Sequence, residues 1–111
     1  MYKKKISKDF QCGIVITMEI LGGKWKPCLI RKIYNGIKRP SELHRQYPAA
    51  SPRVLNQQLT ELVNHGIIEK KVYPILPYKV EYYLTEVGLS LLPLIHQIEK
   101  WGLANSGIIS M

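Results

Sequence analysis

Between Arg53 and Asn64 stand five side chains equipped to recognise the edges of another molecule: Arg53, Asn56, Gln57, Thr60 and Asn64. An arginine fork pairs with guanine O6 and N7, and an Asn or Gln amide pairs with adenine N6 and N7. A threonine methyl suits the thymine methyl, and each good bidentate pair discriminates by about 1 to 3 kcal/mol. No carboxylate interrupts the run from Arg53 to Thr60, where a solvated helix would ordinarily mix Glu with Lys. A different chemistry stands at Cys12. A thiol at the start of a predicted helix, near Lys3, Lys4, Lys5 and Lys8, is in a setting that favours the nucleophilic thiolate. The other thiol, Cys28, lies beside Leu29 and Ile30 and is expected to serve packing.

The element that must present the amides is a helix. At 100° per residue, Leu55, Leu59, Leu62 and Val63 point one way, while Arg53, Gln57, Thr60 and Asn64 point the other with Asn56 beside them. Ser51 followed by Pro52 is a start signal for it, and Asn64-His65-Gly66 a stop. Upstream, Ser41 after Pro40 is expected to cap a short helix that ends before Pro48, so two helices meet across a turn of a few residues. Lys38, Arg39 and Arg45 border that turn, and Ser41 and Ser51 put two helix N-termini where phosphate can sit.

On either side the pattern continues. Ile14, Val15, Met18 and Leu21 form one helical stripe and Ile16 with Ile20 a second, more apolar surface than one core requires. Gly22-Gly23 ends this helix, and Pro27 opens another that runs to about Tyr34 before Asn35-Gly36. Ile67 to Tyr73 and Lys79 to Leu84 are rich in β-branched and aromatic residues and predict a hairpin, its tip stiffened by Pro74 and Pro77 and its strands charged by Lys70, Lys71 and Lys79. Thr85 is expected to cap one last helix to about Asn105, kinked at Pro93. Residues 1–11 are expected to form a flexible basic arm and 106–111 a frayed tail. The order helix, helix, helix-turn-helix, hairpin, helix is an α+β arrangement, the winged helix-turn-helix, in a single domain spanning 1–111.

Composition narrows the partners. A chain of 111 residues has room for one core, and no apolar run approaches the ~20 residues that span a bilayer. The basic start lacks the apolar stretch of a signal peptide, so a cytoplasmic location and no membrane partner are expected. Sixteen Lys and Arg against eight acids, of which only Asp9 is aspartate, give +8 and favour a polyanion, nucleic acid first, because each neutralised phosphate releases counterions. Cys12, Cys28, His44, His65 and His96 have no zinc-like spacing, so no metal or other cofactor is expected. The chain contains none of GxxxxGK[ST], GxSxG, HExxH or CxxC, which leaves a thiol peroxidase at Cys12 as the thin enzymatic alternative. The second alternative is a basic winged-helix module that binds RNA, anionic lipid or a protein without reading sequence.

In order along the chain come GGKW, SEL, SPRVLNQQLTEL, GIIEKKVYP, and VEYYLTEVG with LLP. From about Cys12 to Gly102 the sequence resembles the HxlR-type winged helix regulators of bacteria, relatives of the MarR group. That resemblance implies a homodimeric transcription factor, more often a repressor, on an inverted-repeat operator of double-stranded DNA. Its first and last helices would form the dimer interface, on Ile16 and Ile20 and on Leu91, Leu94, Ile98 and Trp101. It also implies a reactive cysteine just before the first helix, the place of Cys12, open to an electrophile or oxidant. Two departures stand out: Gly13 follows the cysteine where the family usually has Pro, and Pro77-Tyr78-Lys79 replaces Pro-Pro-Arg before VEY. Lys79 keeps the charge but not the planar fork.

Overall fold

The computed structural model describes residues 11–109. Helix α1 (Gly13–Leu21) is followed by α2 (Lys26–Tyr34), α3 (Pro40–Gln46) and α4 (Pro52–Asn64). The antiparallel strands β1 (Ile68–Tyr73) and β2 (Lys79–Leu84) come next, then α5 (Glu86–Ser90), α6 (Leu92–Ala104) and a 3-10 turn at Ser106–Ile108. This is the winged helix-turn-helix arrangement that the sequence pattern predicts. The basic arm expected at 1–11 lies almost wholly outside the described residues, as do residues 110 and 111 of the tail. Ser106–Ile108 form a turn where fraying was expected.

The core is built from rows of aliphatic side chains at helical spacing. Leu29, Ile30 and Ile33 of α2 meet Leu43 of α3 and Leu55, Leu59 and Leu62 of α4, and Ile67, Ile68, Tyr82 and Ile95 close the cluster. Leaving such side chains in water would forfeit about 1.5 to 3 kcal/mol each, which is why these faces turn inward. Gly66, at φ +73°, lets the chain leave α4 and enter β1, a backbone conformation that a side chain would resist. The hairpin pairs Ile68 with Leu84 at its root and Tyr73 with Lys79 near its tip. It docks on the helices where the Tyr82 N–H donates to the Lys38 carbonyl at 2.8 Å. The Thr85 hydroxyl donates to the carbonyls of Gly66 and Ile67 at 2.7 and 3.0 Å, tying the end of the wing to its beginning.

Two expectations are corrected. Ser41 does not cap α3: Arg39 takes the cap position and Pro40 starts the helix, because the proline ring presets the helical φ and its missing N–H is no loss in the first turn. The last helix is not one kinked rod. Thr85 caps α5, which stops at Ser90, and α6 starts afresh with Pro93 in its first turn, so the proline begins a helix rather than bending one. The surplus apolar surface of α1 is exposed in both stripes: Ile14, at 75% exposure, Val15, Ile16 and Met18 face outward, while Leu21 is buried and Ile20 packs against the core. Leu21 and Ile20 pack the last turn of α1 against the core, and Gly22 ends the helix; a Cβ there would meet the Met18 carbonyl oxygen at 2.2 Å.

Candidate nucleic-acid interface

Helix α4 divides as its sequence divides. Leu55, Leu59 and Leu62 are fully buried and Val63 is half-buried, while Arg53, Asn56, Gln57, Thr60 and Asn64 are exposed. The Ser51 hydroxyl accepts the Val54 N–H at 3.1 Å, satisfying one of the donors that a helix start leaves unpaired. Ser41 is also exposed, in the first turn of α3. Asn56 is not free to use both ends of its amide, because its Oδ1 lies 2.9 Å from His44 Nε2 on α3. That bond joins the two helices of the helix-turn-helix across their polar side.

The start of α2 holds α4 at two further points. The Trp25 N–H donates to Gln58 Oε1 at 2.9 Å, and Lys26 Nζ lies 2.8 Å from Glu61 Oε1. Lys26 is 2% exposed, the one buried charged residue among those described. Sequence reasoning missed it, although the signal was there: Lys26, Leu29, Ile30 and Ile33 form one i, i+3, i+4, i+7 row, which puts the lysine on the inner side of α2. The Lys26 ammonium bound to Glu61 holds that carboxyl below the usual carboxylate range, with a smaller contribution from the Gln57 amide one turn away. A cleft of about 650 Å³ opens between α1 and α4 over this pair, and Gln57, Thr60 and Asn64 also line it.

The wing carries its cations unequally. Lys70 and Lys71 are exposed on β1. Lys79 is half-buried, 3.6 Å from Glu81 Oε2 and 4.7 Å from the centre of the Tyr73 ring. Tyr83 donates to Glu81 Oε1 at 2.6 Å, and Lys38 lies 4.2 Å over the Tyr83 ring. The Glu81 carboxyl is therefore held below its usual range, first by Tyr83 and to a lesser degree by Lys79. The tip between the strands is apolar, with Ile75, Leu76 and Tyr78 exposed.

Away from these elements lies an apolar surface. Ile14, Ile16 and Met18 of α1 and Leu94, Ile98 and Trp101 of α6 are exposed, Trp101 at 66%, and a groove of about 450 Å³ runs between Ile14, Met18, Leu94 and Ile98. Ile20 and Leu91 sit at its margin and pack partly against the core. Cys12 is exposed at the N-cap of α1 without a side-chain capping bond. Cys28 is half-buried, its carbonyl accepting the Tyr47 hydroxyl at 3.4 Å, in keeping with a packing role. Among the described residues no group of His, Cys, Asp and Glu is arranged to hold a metal, and no helix is long and apolar enough to cross a membrane.

A capped amide-bearing helix braced by a shorter helix, with a basic hairpin beside it, defines the class of winged helix-turn-helix transcriptional regulators. The chain belongs to the HxlR-like helix-turn-helix family, whose model matches residues 20–108. It is 43% identical over 95 residues to the uncharacterized HTH-type transcriptional regulator YkvN of Bacillus subtilis (strain 168), covering 86% of this chain and 80% of that one. Among solved structures it is similar to the redox regulator HypR in its reduced form, with a TM-score of 0.81, 38% identity, and coverage of 89% of this chain and 98% of that one. The reduced transcriptional regulator YodB of B. subtilis gives a TM-score of 0.71 at 32% identity, covering 82% and 90%. These relatives are regulators of transcription rather than enzymes, and this chain is a transcriptional regulator of the helix-turn-helix type.

Proposed function

We propose that the protein is a homodimeric repressor that reads an inverted-repeat operator in double-stranded DNA. The observation that carries this reading is the division of α4, with three leucines fully buried and an arginine, two amides and a threonine exposed in its N-terminal turns. Arg53, Asn56, Gln57 and Thr60 meet base edges in the major groove. Ser41 and Ser51 meet phosphates at the starts of α3 and α4, and Lys70, Lys71 and Lys79 follow the backbone with the wing. A two-fold partner packs on the exposed apolar side chains of α1 and α6, Ile16, Leu94, Ile98 and Trp101, with Ile20 and Leu91 at the rim. Two recognition helices so related enter grooves one helical turn, about 34 to 36 Å, or a multiple apart, and the operator is correspondingly palindromic.

Cys12 is the switch in this reading. Its thiolate adds to an electrophile, or two cysteines join as a disulfide while an oxidant such as diamide takes up the two electrons and two protons released. Support comes from the exposure of Cys12 at the start of the helix assigned to the dimer, where a new bond would bias the spacing of the recognition helices. It comes also from the similarity to HypR, solved in reduced and oxidised forms, and to YodB, solved reduced and after diamide treatment.

Selection of bound sequences from a random duplex pool, repeated with reduced and oxidised protein, tests the whole reading. A palindromic consensus retained against excess random duplex is expected, and binding without sequence preference would refute it. Diamide should change operator affinity of the wild type and leave Cys12→Ser unchanged; equal responses would remove the thiol switch.

A further inference from the structure

Glu61 looks out of place on a helix that faces a polyanion. It lies one turn beyond Gln57 on the same side of α4, 42% of its side chain is exposed, and it lines the same cleft as Gln57, Thr60 and Asn64. What holds it there is unusual, because Lys26 lies almost wholly inside the domain with its ammonium 2.8 Å from Glu61 Oε1. Burying an ion pair is a poor route to stability: desolvation consumes much of the attraction, and apolar side chains of similar volume often pack as well or better. The pair is better explained by what it fixes. A carboxylate anchored on one oxygen by an immobile ammonium keeps its other oxygen in a set direction. The side chain one turn earlier on that face is Gln57.

We propose that Lys26 and Glu61 are positioning residues that set the amide of Gln57, and through it the base preference at one operator position. This rests on the reading of α4 as a DNA-reading helix. One turn along the helix, the free oxygen of Glu61 is placed to take one amide N–H of Gln57 when DNA is engaged, which would leave Oε1 and the second N–H outward, the acceptor and donor that adenine N6 and N7 require. The lowered pKa of Glu61, to which the Gln57 amide contributes, agrees with that arrangement. The start of α2 grips α4 again through the Trp25 N–H and Gln58 Oε1, a second tie beside that anchor. Sites that discriminate need this kind of support, because a side chain that swings freely loses the geometry that tells one base from another.

The test has the advantage of a sign. If Glu61 is a bystander, Glu61→Gln removes a negative charge beside DNA, tightens binding to every duplex alike and leaves the ratio of operator to random affinity unchanged. If it positions Gln57, that ratio falls about tenfold, the loss of one base contact. The preference is then lost at one operator position while those read by Arg53 and Asn56 persist. Affinities for the selected operator and for random duplex would be measured for the wild type, Glu61→Gln, Gln57→Ala and the double variant. The double variant should have the ratio of Gln57→Ala alone, and additive losses would overturn the proposal. Lys26→Met, which releases a half-exposed Glu61 and strands no charge in the core, should lower the ratio as Glu61→Gln does; a ratio at the wild-type value would overturn the part assigned to Lys26. A wild type without operator preference would instead remove the reading of α4 itself, and the positioning role with it.

Discussion

Helices α1 and α4 both turn a long face to solvent, and the faces could hardly differ more. The outer face of α1 carries Ile14, Val15, Ile16 and Met18; that of α4 carries Arg53, Asn56, Gln57, Thr60 and Asn64. An apolar face gains free energy by leaving water and needs only a surface of matching shape. A face of amides gains nothing from burial unless each donor and acceptor finds its counterpart, so it suits a partner with a fixed hydrogen-bond pattern. The contrast teaches that exposure by itself says little; what a side chain would have to be given in exchange for water says which partner it suits.

The hardest blow to the comparison falls on the hidden side of α4. Leu59→Ala should cost about 2 to 5 kcal/mol of unfolding free energy, measured by denaturant titration, because a fully buried leucine leaves a cavity. A loss well under 1 kcal/mol would mean that α4 is not anchored as described. On α1 and its neighbour, Ile14→Glu with Ile98→Glu should leave the monomer folded by circular dichroism, since both side chains are exposed. In sedimentation the variant should run as a monomer, and operator affinity should fall about a hundredfold as paired half-site binding is lost. A variant that still sediments as a dimer would place the interface elsewhere.

Smaller effects sharpen the contrast. Lys70→Ala should weaken all duplexes alike, a few-fold, and reduce the salt slope by about one, unlike Gln57→Ala, which should relax base preference. Identical behaviour of the two would erase the distinction between wing and helix. Smallest is the acid response. Because the folded state holds Glu61 below its usual pKa, it binds fewer protons there than the unfolded chain. That contribution to stability is complete above the unfolded carboxylate value and disappears as the pH falls through the lower folded one. Glu61→Gln should therefore flatten the stability profile in the acid limb below about pH 4 and lower stability near neutrality, where the contribution it removes is complete.

Much of this architecture is legible along the chain because its signals are local. Leucines at helical spacing mark the inner side of α4, Ser51-Pro52 marks its start, and the β-branched and aromatic runs mark the wing to within a residue. What escaped depends on neighbours distant in sequence. The apolar surface of α1 is real, yet that Ile20 and Leu21 turn inward while Ile14 and Met18 stay exposed depends on the core they meet. Pro93 has the same local chemistry whether it kinks a helix or starts one, and the break at Leu91 settled which. Of the candidate site, the exposure of Arg53, Gln57 and Thr60 followed from periodicity. The engagement of Asn56 by His44 did not, since it needs two helices brought together, whereas that of Lys79 by Glu81, two residues along β2, was a local signal left unread.

The bond between Asn56 and His44 alters what that asparagine can say. With Oδ1 held by the imidazole, the amide turns only its NH₂ group outward. Such a side chain gives up the paired bonds to adenine N6 and N7 and favours guanine, whose O6 and N7 both present lone pairs. The letter opposite residue 56 in the selected consensus should accordingly be G, and His44→Ala, by freeing the oxygen, should let A compete for that place.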